Sequence, residues 1–190
     1  MKTKGERFIS VDIETAGPIP GEYSMLSVGA CVVGRRDDGF YAELKPLNSN
    51  AVPDALKVTG FNLTELDRTG ERPEEAMGKL RAWLASVSVD TSPIFVGFNA
   101  GFDWSFVNWY FHRFLGENPF GFAPLDIKSY YMGLAGCSWA DTKSSRIRAE
   151  YQPAKTGDHN ALTDAQSQAE IFEKMLASNR KVKPHTHEDA

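Results

Sequence analysis

The sequence predicts a single α/β domain with a mixed sheet, and the order of its apolar segments is the main reason. Three strand-like segments come first, and helical and strand-like segments then alternate along the rest of the chain. The order β-β-β-α-β-α-β-α is typical of a hairpin followed by crossover connections. With 190 residues, of which 42% are hydrophobic and 24% charged, the chain has the composition of an ordinary globular domain.

The first three strands are predicted from apolar and β-branched runs. Residues 8–13 alternate little between polar and apolar side chains, as expected of a central strand that is buried on both faces. Residues 25–34 and 40–46 are the next two strands. The polar link at residues 35–39 contains Asp38 and Gly39, a pair favoured in tight turns, so we expect a hairpin that turns there.

Helices and two further strands are predicted from spacing and from residues that favour helix ends. Residues 62–70 and 72–87 predict a short and a longer helix, and the aromatic-rich segment 102–116 predicts a third, closed by Gly116. Residues 92–99 form a second apolar strand, and residues 123–135 begin as a strand and continue as a helix. Residues 160–178 predict the last amphipathic helix. We expect one domain at residues 1–178 and a flexible tail at residues 179–190, which have little apolar content.

Composition and charge limit the classes of protein to which this chain can belong. The net charge of -4 argues mildly against broad binding along a nucleic-acid backbone, although acids gathered to bind cations would contribute to it. Because the chain has no apolar run of membrane-spanning length and no signal-peptide pattern, we expect a cytoplasmic protein without a membrane partner. Cys31 and Cys137 match no metal-binding spacing and are predicted to be free thiols.

Two acids at the end of the first strand are the first sign of a functional site. Side chains alternate along a strand, so Asp12 and Glu14 point to the same face. Two neighbouring carboxylates repel each other and are costly to bury. Gly17 and Pro18 follow, so the strand ends close to these acids.

Three more polar residues fall at comparable places. Asp103 follows the second apolar strand, Asp164 lies near the start of the last helix, and His159 precedes Asp164 by five residues. Strand ends and helix starts meet at one edge of an open α/β sheet, where such folds bind ligands. Four carboxylates would balance two divalent cations, and hard oxygen ligands suit Mg²⁺ or Mn²⁺. A two-cation site about 3.5–4 Å across stabilises phosphoryl transfer, and His159 suits the role of base.

Each of these residues also has an ordinary structural explanation. Asp12 and Glu14 could be a solvated strand end, Asp103 a helix N-cap and Asp164 an exposed helical acid. His159 could be a hydrogen-bonded polar residue near a helix start. Their shared placement at strand ends and helix starts favours the joint interpretation as a site.

Three motifs resemble those of a known family. The segments VDIETAG, VGFNAGFD and HNALTDA resemble the three motifs of the DEDDh 3′–5′ exonucleases, the DnaQ-like group that includes proofreading exonucleases, RNase T and oligoribonuclease. The resemblance extends over about residues 7–177. It implies an RNase H-like fold with a five-stranded mixed sheet flanked by helices. It also implies release of nucleoside 5′-monophosphates from single-stranded 3′ ends.

The resemblance also implies a role for each site residue. Asp12 would bridge two divalent cations, Glu14 and Asp164 would bind the catalytic cation, and Asp103 would hold the second cation through water. His159 would be the general base for the attacking water. Two departures from the family pattern are visible: Ala16 stands where a threonine is common, and Phe98 where a histidine is common. Phe98 could stack beside the base or pack in the core, and we favour the core.

Further residues are implied as substrate contacts. The backbone of Ile13, Thr15 and Ala16 would touch the terminal nucleotide, together with Asn99 of the second motif. An apolar wedge would come from Met25 or Leu26, and Phe61 would either stack on a base or pack in the core. In the basic segment 137–158, Lys143 and Arg146, with Arg148 and Lys155, would guide phosphates, unless that segment is an ordinary solvated loop.

Three functions remain open from the sequence. The first is a 3′–5′ exonuclease that acts on RNA or short oligonucleotides, and the second is one that acts on single-stranded DNA in trimming or proofreading. The third is a non-catalytic nucleic-acid-binding module, against which the intact acids and histidine argue. The aromatic residues at 104–111 predict either core packing or a self-association face, so a homodimer is possible.

Overall fold

The computed structural model of the protein describes residues 5–155, 157 and 159–182, and it contains a five-stranded sheet. The strand order is β3-β2-β1-β4-β5, with β1 at the centre. Antiparallel pairing joins β1 to β2 and β2 to β3, whereas β1, β4 and β5 are mutually parallel. The predicted α/β class and five-stranded mixed sheet are therefore confirmed. The strands are β1 (Gly5–Thr15), β2 (Met25–Val32), β3 (Arg35–Glu43), β4 (Thr91–Gly97) and β5 (Leu125–Asp126).

Helices follow the third strand, as predicted. None of the described helices is long and apolar enough to cross a membrane. The last helix continues four residues beyond the predicted end of the domain at residue 178, and residues 183–190 of the predicted tail lie outside the described residues. The helices are α1 (Pro53–Thr59), α2 (Leu63–Thr69), α3 (Pro73–Val87), α4 (Gly101–Leu115), α5 (Ile127–Ala135), a 3₁₀ helix (Trp139–Thr142), α6 (Ser144–Tyr151) and α7 (Ala161–Val182).

Two helices and the 3₁₀ helix were not predicted from the sequence. No residue of α1 is buried, and Ile147 is the buried residue of α6. A helix with so few core contacts leaves little apolar periodicity in its sequence. The basic segment 137–158, predicted as a loop, therefore contains the 3₁₀ helix and α6.

The first hairpin is present, but its turn lies elsewhere than predicted. The strand β3 already begins at Arg35, and Gly34 adopts the left-handed conformation with φ 85°. Glycine populates that region without steric cost, which makes Gly34 the turn residue. Gly39 instead lies within β3, where an added Cβ would come within 3.0 Å of Leu162 Cδ1. That glycine provides room for α7 rather than a turn.

The aromatic residues of α4 form part of the core. Phe106, Tyr110 and Phe111 are fully buried, and Trp104 and Trp109 pack against the same cluster. The core alternative is thus confirmed for this helix. The homodimer that the aromatic content suggested stays a prediction.

Both cysteines are free thiols, as predicted. Cys31 is buried beside Ala165 and Ala169 of α7. Burial raises the pKa of Cys31 to about 12, so this thiol stays protonated and packs as a small apolar side chain.

Alternation along β1 divides its side chains between two faces of the sheet. Ile9, Val11 and Ile13 pack into the core cluster that also contains residues of α3 and α4. Asp12 faces the other way and is hydrogen-bonded to Gln168 of α7. The acids of β1 therefore lie on the face covered by α7, and that helix positions the remaining site residues.

A close approach at Gly29 sets the distance between this face and the start of α7. Gly29 lies on β2 opposite Asp12, and an added Cβ would come within 2.2 Å of the backbone of Ala161 and Leu162. Backbone atoms cannot move aside as a flexible side chain can. A residue larger than glycine at this position must push α7 away from the sheet.

Gly29→Ala is expected to lower the free energy of unfolding by about 1–3 kcal/mol, as overpacked cores do, and to displace residues of the predicted site. The reason is that Asp164 and the preceding His159 move with the start of α7. Gly78→Ala in α3 is the matched control, because the site of its Cβ has no heavy atom of another element within 4 Å among the described residues. Melting curves and initial rates test the prediction, and wild-type values for Gly29→Ala would contradict it.

Candidate active site

Asp12 and Glu14 form the centre of the site at the carboxyl end of β1. Asp12 pairs with Gly29 and Glu14 with Ser27 of β2, and the ladder is irregular directly after Glu14. Glu14 is only 8% exposed. The two acids are not a solvated strand end, so that alternative from the sequence is wrong.

Asp103 joins the acids from the first turn of α4. Its side chain is buried, and its Oδ1 accepts a hydrogen bond of 3.1 Å from the backbone N–H of Ile13. The N-cap position of α4 is Ala100, so Asp103 is not the helix cap. Its hydrogen bond ties the start of α4 to β1 between Asp12 and Glu14.

Asp164 and His159 reach the site from the start of α7. The Oδ1 atom of Asn160 accepts from the N–H groups of Leu162 and Thr163, each at 3.1 Å, and so caps the helix. The backbone N–H of His159 donates to Asp164 Oδ2 at 3.1 Å, and His159 has the left-handed φ of 61°. Ligand atoms of Glu14, His159 and Asp164 all lie within 4.8 Å of one another.

Gln168 is a site residue that the sequence analysis missed. Its Nε2 donates to Asp12 Oδ1 at 2.5 Å, and its Oε1 accepts from the N–H of Phe98 at 2.8 Å. Gln168 is 3% exposed and thus fixes Asp12 relative to the end of β4. A signal was present, because Gln168 lies four residues after Asp164 and hence on the same face of the helix.

Arg148 is the cation of the basic segment that reaches the acids. One guanidinium nitrogen lies 3.8 Å from Asp164 Oδ1, and the other donates to Ser167 Oγ at 2.6 Å. The guanidinium also lies over the ring of Phe98, 5.6 Å from its centroid. Phe98 is buried, as expected of a core residue, and its ring also supports Arg148.

Two of the other predicted phosphate-guiding cations, Arg146 and Lys155, contact residues other than the acids of the site. Arg146 is exposed and forms an ion pair with Asp141. Lys143 is exposed at the end of the 3₁₀ helix, and Lys155 donates to Gln166 Oε1 at 2.9 Å. A role of Lys143 and Arg146 in substrate binding stays a prediction.

Most of the groups that were predicted to contact the terminal nucleotide are buried or hydrogen-bonded within the protein. The N–H of Ile13 donates to Asp103, and the N–H of Ala16 donates to the carbonyl of Ser24 at 2.9 Å. Met25 and Leu26 are fully buried, so neither presents an apolar wedge to solvent in this conformation. Of the remaining predicted contacts, Thr15 is buried, Phe61 packs at the edge of the cluster of Ala16, Leu26 and Leu66, and Asn99 is exposed.

Burial and mutual repulsion shift the acids toward their protonated forms. Burial raises the pKa of Asp12 well above its ordinary value, and the charges of Asp103, Asp164 and Glu14 add to this. Burial and the charge of Asp164 raise the pKa of Glu14 to about 7, and burial raises that of Asp103 to about 8. Bound divalent cations would replace these protons, because their charge compensates the buried carboxylates. The residues present therefore fit a hard-cation site.

The metal-free protein should lose stability as the pH rises. Glu14 and Asp103 have ordinary pKa values of 4.5 and 3.8, which the folded protein raises to about 7 and about 8. At pH values between the ordinary and the raised pKa of each acid, the folded state binds more protons than the unfolded state. The stability of the folded state therefore falls as the pH rises through that range. We expect Tm in a chelator to drop from pH 5 to pH 8, by about 2–4 °C for each kcal/mol lost.

Two comparisons make the measurement specific. Saturating Mg²⁺ or Mn²⁺ should flatten the pH dependence, because the cations bind the ionised carboxylates of the folded state. Asp103→Asn should make the fall in Tm between pH 5 and pH 8 in chelator smaller than in the wild type. A metal-free Tm that rises steadily from pH 5 to pH 8 would contradict the assignment of these shifts.

The five-stranded mixed sheet and its helices form an RNase H-like fold. The nuclease domain of 3'hExo, a DEDDh family member bound to rAMP, superposes with a TM-score of 0.72 at 14% identity and covers 90% of this chain and 92% of that chain. Escherichia coli exonuclease I in complex with a dT13 oligonucleotide gives a TM-score of 0.71 at 17% identity, over 93% of this chain and 42% of that chain. At such identities the likeness shows the fold.

A family model described as Exonuclease (RNase_T) matches residues 9–172, so the chain belongs to this family, the DnaQ-like 3′–5′ exonucleases. The chain is also 51% identical over 173 residues to the 3'-5' DNA exonuclease Cap18 of Escherichia coli. That match covers 90% of this chain and 92% of the relative. The protein is thus an enzyme, and the resemblance inferred from its three motifs is confirmed.

Proposed function

We propose that the protein is a divalent-cation-dependent exonuclease that removes nucleoside 5′-monophosphates from the 3′ end of single-stranded DNA. The observation that carries the proposal is the convergence of Glu14, His159 and Asp164 within 4.8 Å, beside the half-buried Asp12 and the buried Asp103. DNA is favoured over the RNA substrate that the sequence suggested, since the relative at 51% identity is named a DNA exonuclease.

The carboxylates supply the ligands for the cations. Asp12, Glu14 and Asp164 would hold the cation at the reacting phosphate, and Asp12 and Asp103 the second one. Mg²⁺ or Mn²⁺ bound there would neutralise the charge that develops on the attacking and leaving oxygens. Gln168 orients Asp12 through its hydrogen bond to Oδ1, and the N–H of Ile13 does the same for Asp103.

His159 is suited to accept the proton of the attacking water. One of its ring nitrogens lies within 4.8 Å of carboxylate oxygens of Glu14 and Asp164, and its side chain is exposed, so water and substrate can reach it. The water oxygen forms a bond to phosphorus as the bond between phosphorus and the 3′ oxygen breaks. The proton of the water passes to His159, and the shortened strand keeps the 3′ oxygen, which takes a proton from solvent.

Arg148 adds a positive charge beside this chemistry. Its guanidinium is held by Ser167 and Phe98 close to Asp164, on the side of the basic segment. Several of its N–H groups can therefore donate to a phosphate oxygen of the bound strand without loss of these contacts.

A substrate panel tests the proposal. Single-stranded DNA, RNA and duplex DNA of one sequence, labelled at the 5′ end, are incubated with the protein in Mg²⁺, Mn²⁺ or chelator. We expect stepwise shortening of single-stranded DNA from its 3′ end with release of 5′-monophosphates, slower shortening of RNA, and no reaction in chelator. Faster turnover of RNA would reverse the substrate assignment, and no release from any substrate would indicate a binding module instead.

A further inference from the structure

An exposed tryptophan with a lysine over its ring lies near the active site. Trp139 is 55% exposed, and Lys128 Nζ lies 4.3 Å from its ring centroid. The same ammonium donates to Asn99 Oδ1 at 3.0 Å. These three residues come from the 3₁₀ helix, from α5 and from the loop after β4, and together they are called the Lys128–Trp139 surface.

The topology of the sheet places this surface at the same edge as the acids. The strands β1, β4 and β5 are parallel, so their carboxyl ends share one edge. Asp12 and Glu14 end β1, Asn99 follows β4, and Lys128 follows β5. The strands β1 and β5 are two strand spacings apart, a distance of about 10 Å.

A chain of contacts connects the surface to the acids. Asp12 accepts from Gln168, which in turn accepts from the N–H of Phe98, the residue before Asn99. Asp126, directly before α5, accepts from the N–H of Ala100 at 3.0 Å. The loop after β4 is therefore held on both sides, and the surface has a defined position relative to the metal-binding acids.

The charge of Lys128 is available to an anion. Its contacts are an amide oxygen and an aromatic ring, and no carboxylate among the described residues forms an ion pair with it. The carboxylate of Asp126 is used by the N–H groups of Ala100 and Ser129. An exposed indole beside an uncompensated cation is the combination with which proteins bind single strands, by base stacking and by phosphate contact.

We propose that the Lys128–Trp139 surface binds the single-stranded substrate upstream of its 3′-terminal nucleotides. A base stacks on Trp139, and Lys128 contacts a backbone phosphate. This inference rests on the proposed function, since the strand must enter the metal site to place its upstream part here. The surface then determines how the enzyme distinguishes long strands from very short ones.

Comparison of a dinucleotide with a long oligo(dT) tests the inference. On this proposal a dinucleotide fills only the two terminal positions at the acids and does not touch Trp139, whereas a long oligonucleotide covers both places. Trp139→Ala should raise KM for the long strand about 5- to 150-fold, the range that loss of one stacked base corresponds to. It should leave kcat/KM for the dinucleotide unchanged, and Trp139→Phe should restore most of the affinity.

Two further variants complete the experiment. Lys128→Met should reduce the slope of log KM against log salt concentration for the long strand by about 0.7, the contribution of one phosphate contact on a single strand. Phe122→Ala is the matched control, because Phe122 is 99% exposed and lies before the amino end of β5, whereas Lys128 follows the carboxyl end of that strand. It should behave as the wild type with both substrates.

The outcomes separate this inference from the proposed function. If the wild type degrades neither substrate, the proposed function fails, and the inference fails with it. If the wild type degrades both but Trp139→Ala and Lys128→Met leave KM for the long strand unchanged, the surface does not bind nucleic acid and is better explained by a protein partner. Equal losses on the dinucleotide and the long strand would also overturn the inference, because they would indicate a disturbed active site. Should Trp139→Ala not fold, Trp139→Leu and Lys128→Met provide the same comparison.

Discussion

Asp12→Asn is expected to abolish nuclease activity while the protein stays folded, with a loss of at least about 10³-fold in kcat. Asp12 is the acid that all the others surround: its pKa is raised by burial and by the charges of Asp103, Asp164 and Glu14. An asparagine has nearly the same shape and can still accept the hydrogen bond of Gln168, but it offers no charge to a cation. The substitution therefore removes metal binding with little change in packing.

The same change should stabilise the metal-free protein. A buried carboxylate that repels three neighbours costs free energy whenever it is ionised, and asparagine removes that cost. We expect a higher Tm in chelator than for the wild type, and a smaller gain in Tm on addition of Mn²⁺. Asp38→Asn is a suitable control, since Asp38 is an exposed acid that pairs with Arg35 on β3. Near-normal turnover of Asp12→Asn at saturating cation would refute the metal assignment.

His159→Ala is expected to lower kcat by about 10²–10⁴-fold, the usual contribution of a general base, with a much smaller effect on KM. The side chain of His159 lies beside Glu14 and Asp164 and is open to solvent, so its loss should not disturb the core. A general base acts in the chemical step, and its removal leaves the substrate contacts in place.

A histidine among carboxylates could also be a metal ligand, and a second measurement separates the two roles. Titration with Mn²⁺ should give an unchanged affinity for His159→Ala if the residue is the base, and a weakened one if it is a ligand. His112→Ala provides the control, because His112 is exposed near the end of α4. An unchanged kcat would mean that another group accepts the proton.

Much of the site was predictable because its residues occupy places that local pattern reveals. Alternation along β1 puts Asp12 and Glu14 on one face, and an apolar strand followed by a helix puts Asp103 at the carboxyl end of β4. His159 and Asp164 lie around the start of an amphipathic helix. Parallel strands bring these points to one edge, so the joint prediction needed element order alone.

Gln168, which the sequence analysis missed, and Arg148, which it did not single out among the basic residues, act through tertiary contacts. Gln168 lies 156 positions along the chain from its partner Asp12. Arg148 lies 16 positions from its partner Asp164. Lys143 and Arg146, which carry the same charge as Arg148 and lie close to it in sequence, were equally good candidates for a cation that guides phosphates. Their difference arises from α6, a helix too exposed to leave a periodic signal.

Glycine positions show the same limit of prediction from sequence for the backbone. Asp38-Gly39 is the better turn pair by composition, yet the chain turns at Gly34, and Gly39 lies within β3 close to Leu162 of α7. Gly29 likewise has no local reason to be glycine, and its reason is the backbone of α7 that crosses it. Such requirements arise when two segments far apart in sequence meet.

The sequence by itself determined the fold class and the family, and it identified the acids and the histidine of the candidate site, because these depend on periodicity, element order and short motifs. Tertiary structure decided which polar residues support those acids, which basic residue reaches them, and which side chains surround the exposed Trp139. The physical reason is that hydrogen bonds, ion pairs and ring contacts act over a few ångströms. Packing of α7 and α5 against the sheet, rather than proximity along the chain, decides which side chains come that close.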